Sequence, residues 1–139
     1  MQKMKNRIAV ITARGGSKRI PKKNIKEFCG EPIIAYAIKA AKESHIFDEV
    51  MVSTDSKEIA EIAQRYGAVV PFMRSKKNAD DYATTEDVIM EVVDNYRRIG
   101  KEYAYVCCLY PTTPFITGDI LKRAMQIMED KKPSVVIPV

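Results

Sequence analysis

Six basic side chains, with no acidic residue among them, make residues 14–26 the segment of this chain best suited to bind an anion. The chain of 139 residues has a net charge of +5, so this segment accounts for all of the excess. Charge concentrated in one segment favours a compact polyanion such as a nucleoside triphosphate, because nucleic-acid binders spread their charge over a face or helix. A solvated basic turn is the alternative interpretation. The six residues are Arg14, Lys18, Arg19, Lys22, Lys23 and Lys26.

Two adjacent glycines, Gly15 and Gly16, lie near the start of this basic segment, just after an apolar run. Glycines let the backbone turn sharply and approach a ligand closely, and successive N–H groups can form an anion-binding concavity. The pair matches neither G-x-x-x-x-G-K-S/T nor G-x-G-x-x-G, so it predicts a triphosphate-sized anion site without a named motif. The side chains nearby that can donate hydrogen bonds to phosphate oxygens are Arg14, Ser17, Lys18 and Lys23.

Strand-like and helix-like patterns alternate along the chain and would position this loop. Apolar runs predict five strands, at Arg7–Ala13, Glu49–Thr54, Ala68–Phe72, Tyr103–Leu109 and Ser134–Val139. Helical spacing predicts four helices between them, beginning at Pro32, at Asp55, at Thr84 or Thr85, and near Thr117. This order predicts an α/β fold with a mostly parallel sheet and helices on both faces. Ligands bind at the carboxyl ends of such strands, where we expect the loops 14–29, 54–56, 73–84 and 110–116 to meet.

The composition is typical of one globular domain spanning residues 1–139, with 46% hydrophobic and 29% charged residues. No apolar run approaches the roughly 20 residues that a membrane-spanning helix requires. The three cysteines, two of them adjacent at Cys107 and Cys108, lack metal-binding spacing and indicate reduced thiols in a cytoplasmic protein. Because the chain ends inside an apolar predicted strand, we expect it to be the amino-terminal part of a longer protein.

Five ordered segments that cover nearly the whole chain resemble one known family, the acylneuraminate cytidylyltransferases, which make CMP-sialic acids. The longest is AVITARGGSKRIPKKNIKEFCGEPIIAYAI, and VSTDSKEIAEIAQRYGA, Arg74, ADDYATT and LYPTTPF follow in the family's order. Within the family, SKRIPKKN, ADDYATT and CCLY are most similar to the bacterial pseudaminic acid branch, whereas PTTPF is more similar to the sialic acid branch.

The resemblance implies a Rossmann-like, three-layer nucleotide-diphospho-sugar transferase fold and a nucleotidyl transfer. The anomeric hydroxyl of a nine-carbon 2-keto sugar acid, pseudaminic acid or N-acetylneuraminate, would attack the α-phosphorus of CTP and expel pyrophosphate. The resemblance also implies Mg²⁺, a homodimer, and neither a nucleic-acid nor a membrane partner. The family's metal-binding aspartates and dimerisation element follow the region matched here. We therefore expect most Mg²⁺ ligands outside this chain, and CTP binding with little turnover by these residues alone.

The family's functional residues correspond to matching positions of this chain. The resemblance implies that Arg14, Lys23 and Thr85 act closest to the reacting groups. Arg74 would reach the cytidine, and the backbone around Ala83 would contact the edge of the base. The other implied nucleotide-binding residues are Gly15, Gly16, Ser17, Lys18 and Asn24. The implied sugar-binding residues are Tyr110, Thr112 and Thr113.

Two other functions are compatible with parts of the sequence. A 3-deoxy-octulosonate cytidylyltransferase would normally have Gly-Asp after the fourth strand, where this chain has Tyr110 and Pro111. Many sialic acid enzymes have Gln in place of Tyr110. A non-catalytic domain that binds anions or nucleic acids would use the same basic loop, but no aromatic residue lies between Arg14 and Lys26 to stack on bases.

Several candidates also have ordinary structural interpretations. Asp55 fits the N-terminal cap of a helix more readily than a ligand. Asp80 and Asp81 resemble a carboxylate pair, but they are typical turn formers that would shape the loop before the third helix. Thr85 is predicted as a helix cap as well as a catalytic group, and Lys22 is predicted to be solvated.

Overall fold

A parallel sheet with helices packed on both sides organises the described residues. The computed structural model describes residues 6–16, 22–80 and 82–137. Its strands are β1 (Arg7–Thr12), β2 (Glu27–Phe28), β3 (Glu31–Pro32), β4 (Glu49–Ser53) and β5 (Tyr105–Leu109). Its helices are α1 (Ile34–Ser44), α2 (Lys57–Arg65), α3 (Thr85–Arg98) and α4 (Gly118–Lys131), with short 3-10 turns at Lys23–Ile25 and Lys76–Asn78. No helix in these ranges is long and apolar enough to cross a lipid bilayer.

β1 is the central strand of a three-stranded parallel sheet in the order β4-β1-β5. Val10 of β1 lies opposite Met51 on one side and Cys108 on the other. Because the three strands run in the same direction, the segments that follow them leave the same edge of the sheet. The predicted parallel α/β architecture is confirmed, and these three strands lie where they were predicted.

Alternate residues of β1 pack on opposite faces of the sheet, as expected of a strand that is buried on both sides. Ala9 and Ile11 belong to the larger hydrophobic cluster, together with residues of α1, α2 and α4. Ile8 and Val10 belong to a smaller cluster on the other face, which includes Tyr96 of α3. The prediction of helices on both faces is therefore confirmed.

The segment predicted as a third strand, Ala68–Phe72, forms only an isolated bridge to β4. Val69 pairs with Met51, and its N–H and carbonyl bond to neighbouring residues of β4 at 2.9 and 3.0 Å. Pro71 follows two residues later and has no N–H to continue the ladder. The strand prediction is therefore wrong, although the segment does pair with the edge strand β4 at this one point.

The last described segment of the chain is apolar but exposed, unlike the buried strand that was predicted there. Residues 134–137 form no strand, and Val135 and Ile137 are 66% and 74% exposed. No described strand pairs with this segment, and apolar side chains favour a strand only where a neighbour can pair with it. The strand predicted at Ser134–Val139 is wrong for residues 134–137, and residues 138–139 lie outside the described residues.

The predicted start of the first helix is also wrong. Pro32 pairs with Glu27 in the two-stranded hairpin β2–β3, and α1 begins at Ile34. A left-handed Gly30, with φ of +89°, makes the turn of this hairpin. Because hairpin pairing places Pro32 in a strand, the proline precedes the helix instead of opening it.

The N-terminal caps of the other helices are short polar side chains, as predicted, but at α2 the capping residue differs from the predicted one. Thr84 caps α3 in a capping box with Asp87, and Thr117 caps α4. Thr85 is the first residue of α3 and not its cap. The cap of α2 is Ser56, whose hydroxyl accepts a helix N–H at 3.3 Å, and not the predicted Asp55.

Candidate functional site

A cleft of about 380 Å³ lies where β1 and β5 end and α3 begins. It brings together eight residues that were predicted as site residues from distant parts of the sequence, namely Arg14, Lys23, Asn24, Arg74, Ala83, Thr85, Tyr110 and Thr112. Four lining residues were not predicted, namely Thr12, Thr84, Val88 and Pro111. Thr12 and Pro111 adjoin the ends of two parallel strands, and that position was the signal that could have identified them.

The first wall of the cleft, called here the basic wall, consists of Arg14, Lys23 and Asn24. Lys23 opens the 3-10 turn and is exposed, so its ammonium group is open to a ligand. Lys22 precedes it in a left-handed conformation, and its ammonium lies 3.3 Å from a carboxylate oxygen of Glu58. Two adjacent lysines therefore have different surroundings, and only Lys23 lines the cleft.

Gly15 and Gly16 do not line the cleft, although both were predicted to bind phosphate. The N–H of Gly15 donates to Oδ1 of Asp55 at 2.7 Å, so it is already paired within the protein. A Cβ on Gly15 would lie 2.9 Å from Cβ of Ser56, which explains why this position requires glycine. Gly16 is exposed, with no atom close to the position of a Cβ. Ser17 and Lys18 lie outside the described residues.

The second wall, called here the Arg74 wall, consists of Arg74, Ala83, Thr84, Thr85 and Val88. Arg74 is only 8% exposed, and its guanidinium donates to Oγ of Ser53 at 3.1 Å and to the carbonyl of Ser53 at 2.8 Å. These bonds fix a buried cation beside the end of β4. Burial lowers the pKa of Arg74; the negative charges of Asp55 and Glu91 oppose that change, and the positive charge of Arg14 adds to it.

Hydrogen bonds within the loop 73–84 shape the approach to α3. Oδ1 of Asp80 accepts from the N–H groups of Tyr82 and Ala83 at 2.9 and 2.8 Å, which confirms Asp80 as a turn former. Asp81 lies outside the described residues. Glu91 of α3 accepts from the side chains of Ser75 and Asn78 at 2.5 and 2.6 Å. The loop that presents Ala83 and Thr84 is thus tied to α3.

Two hydroxyl groups meet at the mouth of the cleft. Oγ1 of Thr85 and Oη of Tyr110 are 3.2 Å apart, and they join the start of α3 to the end of β5. Tyr110 is 55% exposed, so its hydroxyl is accessible to a ligand as well. Thr112 lines the cleft, but Thr113 does not, and its hydroxyl donates to the carbonyl of Tyr110 at 2.8 Å.

A larger cavity of about 750 Å³ lies along α3 on the other side of the loop 73–84 and shares Ala83 with the cleft. Its lining contains four carboxylates but only two cationic side chains, so it does not suit a triphosphate. The carboxylates are Asp80, Asp87, Glu91 and Asp94, and the cations are Lys77 and Arg98.

The described residues do not fit a bound Mg²⁺ ion. The lining of the cleft includes no Asp or Glu among the described residues, although carboxylate oxygens are the ligands that Mg²⁺ prefers. Across the described ranges, no three His, Cys, Asp or Glu side chains lie together in a way that could hold a metal ion. We therefore assign no step at this cleft to a metal held by these residues.

The sequence of the chain is similar to those of known proteins along most of its length. Residues 8–139 match the sequence model of a family described as cytidylyltransferases. The chain belongs to the cytidylyltransferase family. It is 49% identical over 123 residues to a pseudaminic acid cytidylyltransferase from Campylobacter jejuni serotype O:2, covering 88% of this chain and 53% of that protein. It is 42% identical over 132 residues to a CMP-N,N'-diacetyllegionaminic acid synthase from Legionella pneumophila, covering 93% and 56%.

The fold is also that of known nucleotidyltransferases. The structure of a CMP:2-keto-3-deoxy-manno-octonic acid synthetase complexed with CTP matches with a TM-score of 0.76 and 25% identity, covering 91% of this chain and 48% of that chain. A 4-diphosphocytidyl-2C-methyl-D-erythritol synthase matches with a TM-score of 0.71 at 11% identity, covering 93% and 57%, which indicates a shared fold. The cytidylyltransferase chain described here spans about half the length of these relatives. The predicted family and fold class are confirmed.

Proposed function

We propose that this cytidylyltransferase transfers CMP from CTP to the anomeric hydroxyl of an acidic nine-carbon 2-keto sugar, with pseudaminic acid as the first candidate. The hydroxyl oxygen forms a bond to the α-phosphorus, the bond from that phosphorus to the β-phosphate oxygen breaks, and the hydroxyl proton and pyrophosphate leave. The observation that carries this proposal is the cleft itself, which gathers Arg14, Lys23 and Arg74 at one edge of the sheet.

The basic wall is proposed to hold the triphosphate. Arg14 and Lys23 can donate charge-assisted hydrogen bonds to phosphate oxygens, and their positive charge would offset the charge that develops on the leaving pyrophosphate. Ser17 and Lys18 are proposed to add further donors, and Gly16 a backbone N–H. Such a site accelerates the transfer by positioning the reactants and stabilising charge.

The Arg74 wall is proposed to receive the cytidine. Arg74 is held rigidly by Ser53, so it can place its remaining N–H groups without reorganisation. The backbone at Ala83 is held by Asp80 and can contact the edge of the base. Rigid donors at fixed positions favour one base over others, because a mismatched base would leave buried polar groups unpaired.

The mouth of the cleft is proposed to bind the sugar acid. Thr85 and Tyr110 present paired hydroxyls there, and Thr112 lies beside them. Thr85 is the proposed group next to the attacking hydroxyl, and Thr113 is proposed to support Tyr110 through its carbonyl. The 49% identity to a pseudaminic acid cytidylyltransferase supports that sugar acid over N-acetylneuraminate.

A Mg²⁺ requirement, a homodimer, a cytoplasmic location and the lack of a nucleic-acid partner complete the proposal. The resemblance to the family supports them. A 3-deoxy-octulosonate substrate remains the alternative, supported by a structural match at 25% identity.

Nucleotide selectivity tests the proposal most directly. Isothermal titration with CTP, UTP, ATP and GTP should give a dissociation constant for CTP at least about tenfold below the others, equivalent to about 1.4 kcal/mol. Equal affinities for all four would contradict it. Strongly salt-dependent binding to RNA or DNA of any sequence would favour the non-catalytic alternative.

The sugar acid is tested separately by pyrophosphate release. Because little turnover is expected from these residues alone, initial rates are measured at high protein concentration. The mixture contains CTP, Mg²⁺ and one of three acids: pseudaminic acid, N-acetylneuraminate or 3-deoxy-octulosonate. The greatest kcat/KM is expected with pseudaminic acid. A higher value with 3-deoxy-octulosonate would replace the proposed substrate while leaving the CTP site intact.

A further inference from the structure

One peptide group at the end of β1 is held from both sides by side chains of two other segments. Nδ2 of Asn24 donates to the carbonyl of Arg14 at 2.8 Å, and the N–H of Gly15 donates to Oδ1 of Asp55 at 2.7 Å. The carbonyl of Arg14 and the N–H of Gly15 belong to the same planar peptide unit. Two bonds at opposite ends of this plane therefore determine its orientation.

Asn24 is placed to serve the protein's own backbone. It is only 5% exposed, and its amide nitrogen is used by the carbonyl of Arg14. Its Oδ1 atom is buried and has no hydrogen-bond partner in the described residues. Only the NH₂ group of the amide can donate to a carbonyl, so the bond to Arg14 fixes which end of the Asn24 amide faces the peptide.

Asp55 holds the other end of the plane by accepting the N–H of Gly15, and it does not cap a helix. Its neighbour Ser56 caps α2 instead, which leaves the Asp55 carboxylate available to Gly15. The backbone of Gly15 packs so closely against Ser56 that a Cβ there would lie 2.9 Å from the serine Cβ. The peptide is therefore restrained by packing as well as by hydrogen bonds.

We propose that Asp55 and Asn24 are positioning residues that orient the Arg14–Gly15 peptide and so direct the Arg14 side chain into the cleft. This inference rests on the proposed CTP site. A cation that is oriented before binding loses less conformational freedom when the triphosphate arrives, so binding is tighter. Asp55 acts through the position of its acceptor oxygen and not through its charge, which by itself would repel a phosphate.

Three substitutions of Asp55 separate position from charge. Asp55→Asn keeps an acceptor oxygen in place without the charge, and CTP affinity should stay within about threefold. Asp55→Glu keeps the charge but moves the acceptor by one methylene, and Asp55→Ala removes it; both should weaken CTP binding about tenfold. The proposal would be overturned if Asp55→Asn bound CTP weakly while Asp55→Glu bound it with wild-type affinity. Glu61→Ala, which removes an exposed carboxylate of α2 outside the lining of the cleft, is the matched control and should leave CTP affinity unchanged.

A double-mutant cycle distinguishes positioning from a general structural role. In an Arg14→Ala background, the substitution Asp55→Ala should weaken CTP binding by less than about twofold, because the side chain that it positions is already missing. Full additivity of the two losses would overturn the proposal. Should Asp55→Ala fail to fold, the same cycle with Asp55→Glu decides the question.

The two hydrogen bonds that hold the Arg14–Gly15 peptide are called here the clamp. Amide hydrogen exchange at Gly15, followed by NMR on the full chain without nucleotide, tests the clamp independently of the proposed function. The Gly15 amide should exchange slowly in the wild type and in Asp55→Asn, and faster in Asp55→Ala. Fast exchange in the wild type would overturn the clamp even if CTP binds selectively. Slow exchange in a protein that lacks CTP selectivity would leave the clamp standing and refute only the CTP site.

Discussion

The two walls of the cleft use their cations in opposite ways. On the basic wall, Lys23 is exposed and available to a ligand. On the Arg74 wall, the guanidinium is buried and bound to the carbonyl and hydroxyl of Ser53. An exposed cation contributes chiefly to ligand affinity, whereas a buried and paired one is also part of the fold. Substitutions on the two walls should therefore be separable by their effects on binding and on unfolding.

The largest effect on folding is expected at Arg74. Arg74→Ala leaves the buried hydroxyl of Ser53 without its donor and the carbonyl of Ser53 with only the N–H of Ala13, so the free energy of unfolding should fall by about 2 kcal/mol. Urea denaturation measures it, and Arg65→Ala on the exposed face of α2 is the control, with a change within about 0.5 kcal/mol. A loss below about 1 kcal/mol at Arg74 would remove the contrast between the walls.

Binding should be affected most on the basic wall, and by only one of two neighbouring lysines. Lys23→Ala should weaken CTP binding about tenfold, because it removes a charge-assisted hydrogen bond to phosphate. Lys22→Ala should change affinity by less than about twofold, since its ammonium pairs with Glu58 outside the cleft. Titration calorimetry compares them, with unfolding curves to check that both variants are as stable as the wild type. Equal losses of affinity would show that the basic segment acts as a diffuse charge.

A smaller effect on stability is expected where the Arg74 wall meets α3. Thr84→Ala removes the cap and half of the capping box with Asp87, so the free energy of unfolding should fall by about 1 kcal/mol. Thr85→Ala, one residue later, should change it by less than about 0.5 kcal/mol. In pyrophosphate-release assays, Thr85→Ala should lower kcat/KM more than Thr84→Ala does, because Thr85 is the residue proposed to act near the attacking hydroxyl. A larger loss of stability from Thr85→Ala would refute this division of roles.

The smallest expected effect is a loss of stability at acidic pH, where Glu91 anchors the loop 73–84 to α3. Burial by itself would raise the pKa of Glu91, but hydrogen bonds from Ser75 and Asn78 outweigh it, and the pKa of Glu91 is lowered. A carboxylate with a lowered pKa in the folded state stabilises the protein above its unfolded pKa, and this stabilisation is lost as the pH falls through the folded value. The difference in unfolding free energy between wild type and Glu91→Gln should therefore shrink steadily below about pH 4.5. A difference that stays constant down to about pH 3 would contradict this.

Burial and the presence of a pairing partner explain which strands were predictable. β1, β4 and β5 were predicted at their places, because each is a short apolar run. Residues of β1 and β4 also face two packed layers. The segments 68–72 and 134–137 have similar apolar content, but one has Pro71 and the other has no described strand beside it. Strand formation depends on a partner, and local composition does not specify one.

The candidate site was predictable in membership more than in detail. The cleft collects Arg14, Lys23, Arg74 and Tyr110 because loops after parallel strands leave one edge of the sheet. The resemblance to the family assigned a direct nucleotide contact to Asn24 and a phosphate contact to Gly15. The structure pairs both with neighbouring protein groups.

The order of residues along the chain determined the alternation of strands and helices, a cap at Thr84 or Thr85 and another near Thr117, and the concentration of positive charge after β1. These features depend on residues a few positions apart, so they can be recognised in the sequence. Only the tertiary structure decided that Asp55 binds the N–H of Gly15 and that Lys22 pairs with Glu58 while Lys23 lines the cleft. Such contacts join residues tens of positions apart, and they arise only when the packed sheet brings the ends of its strands together.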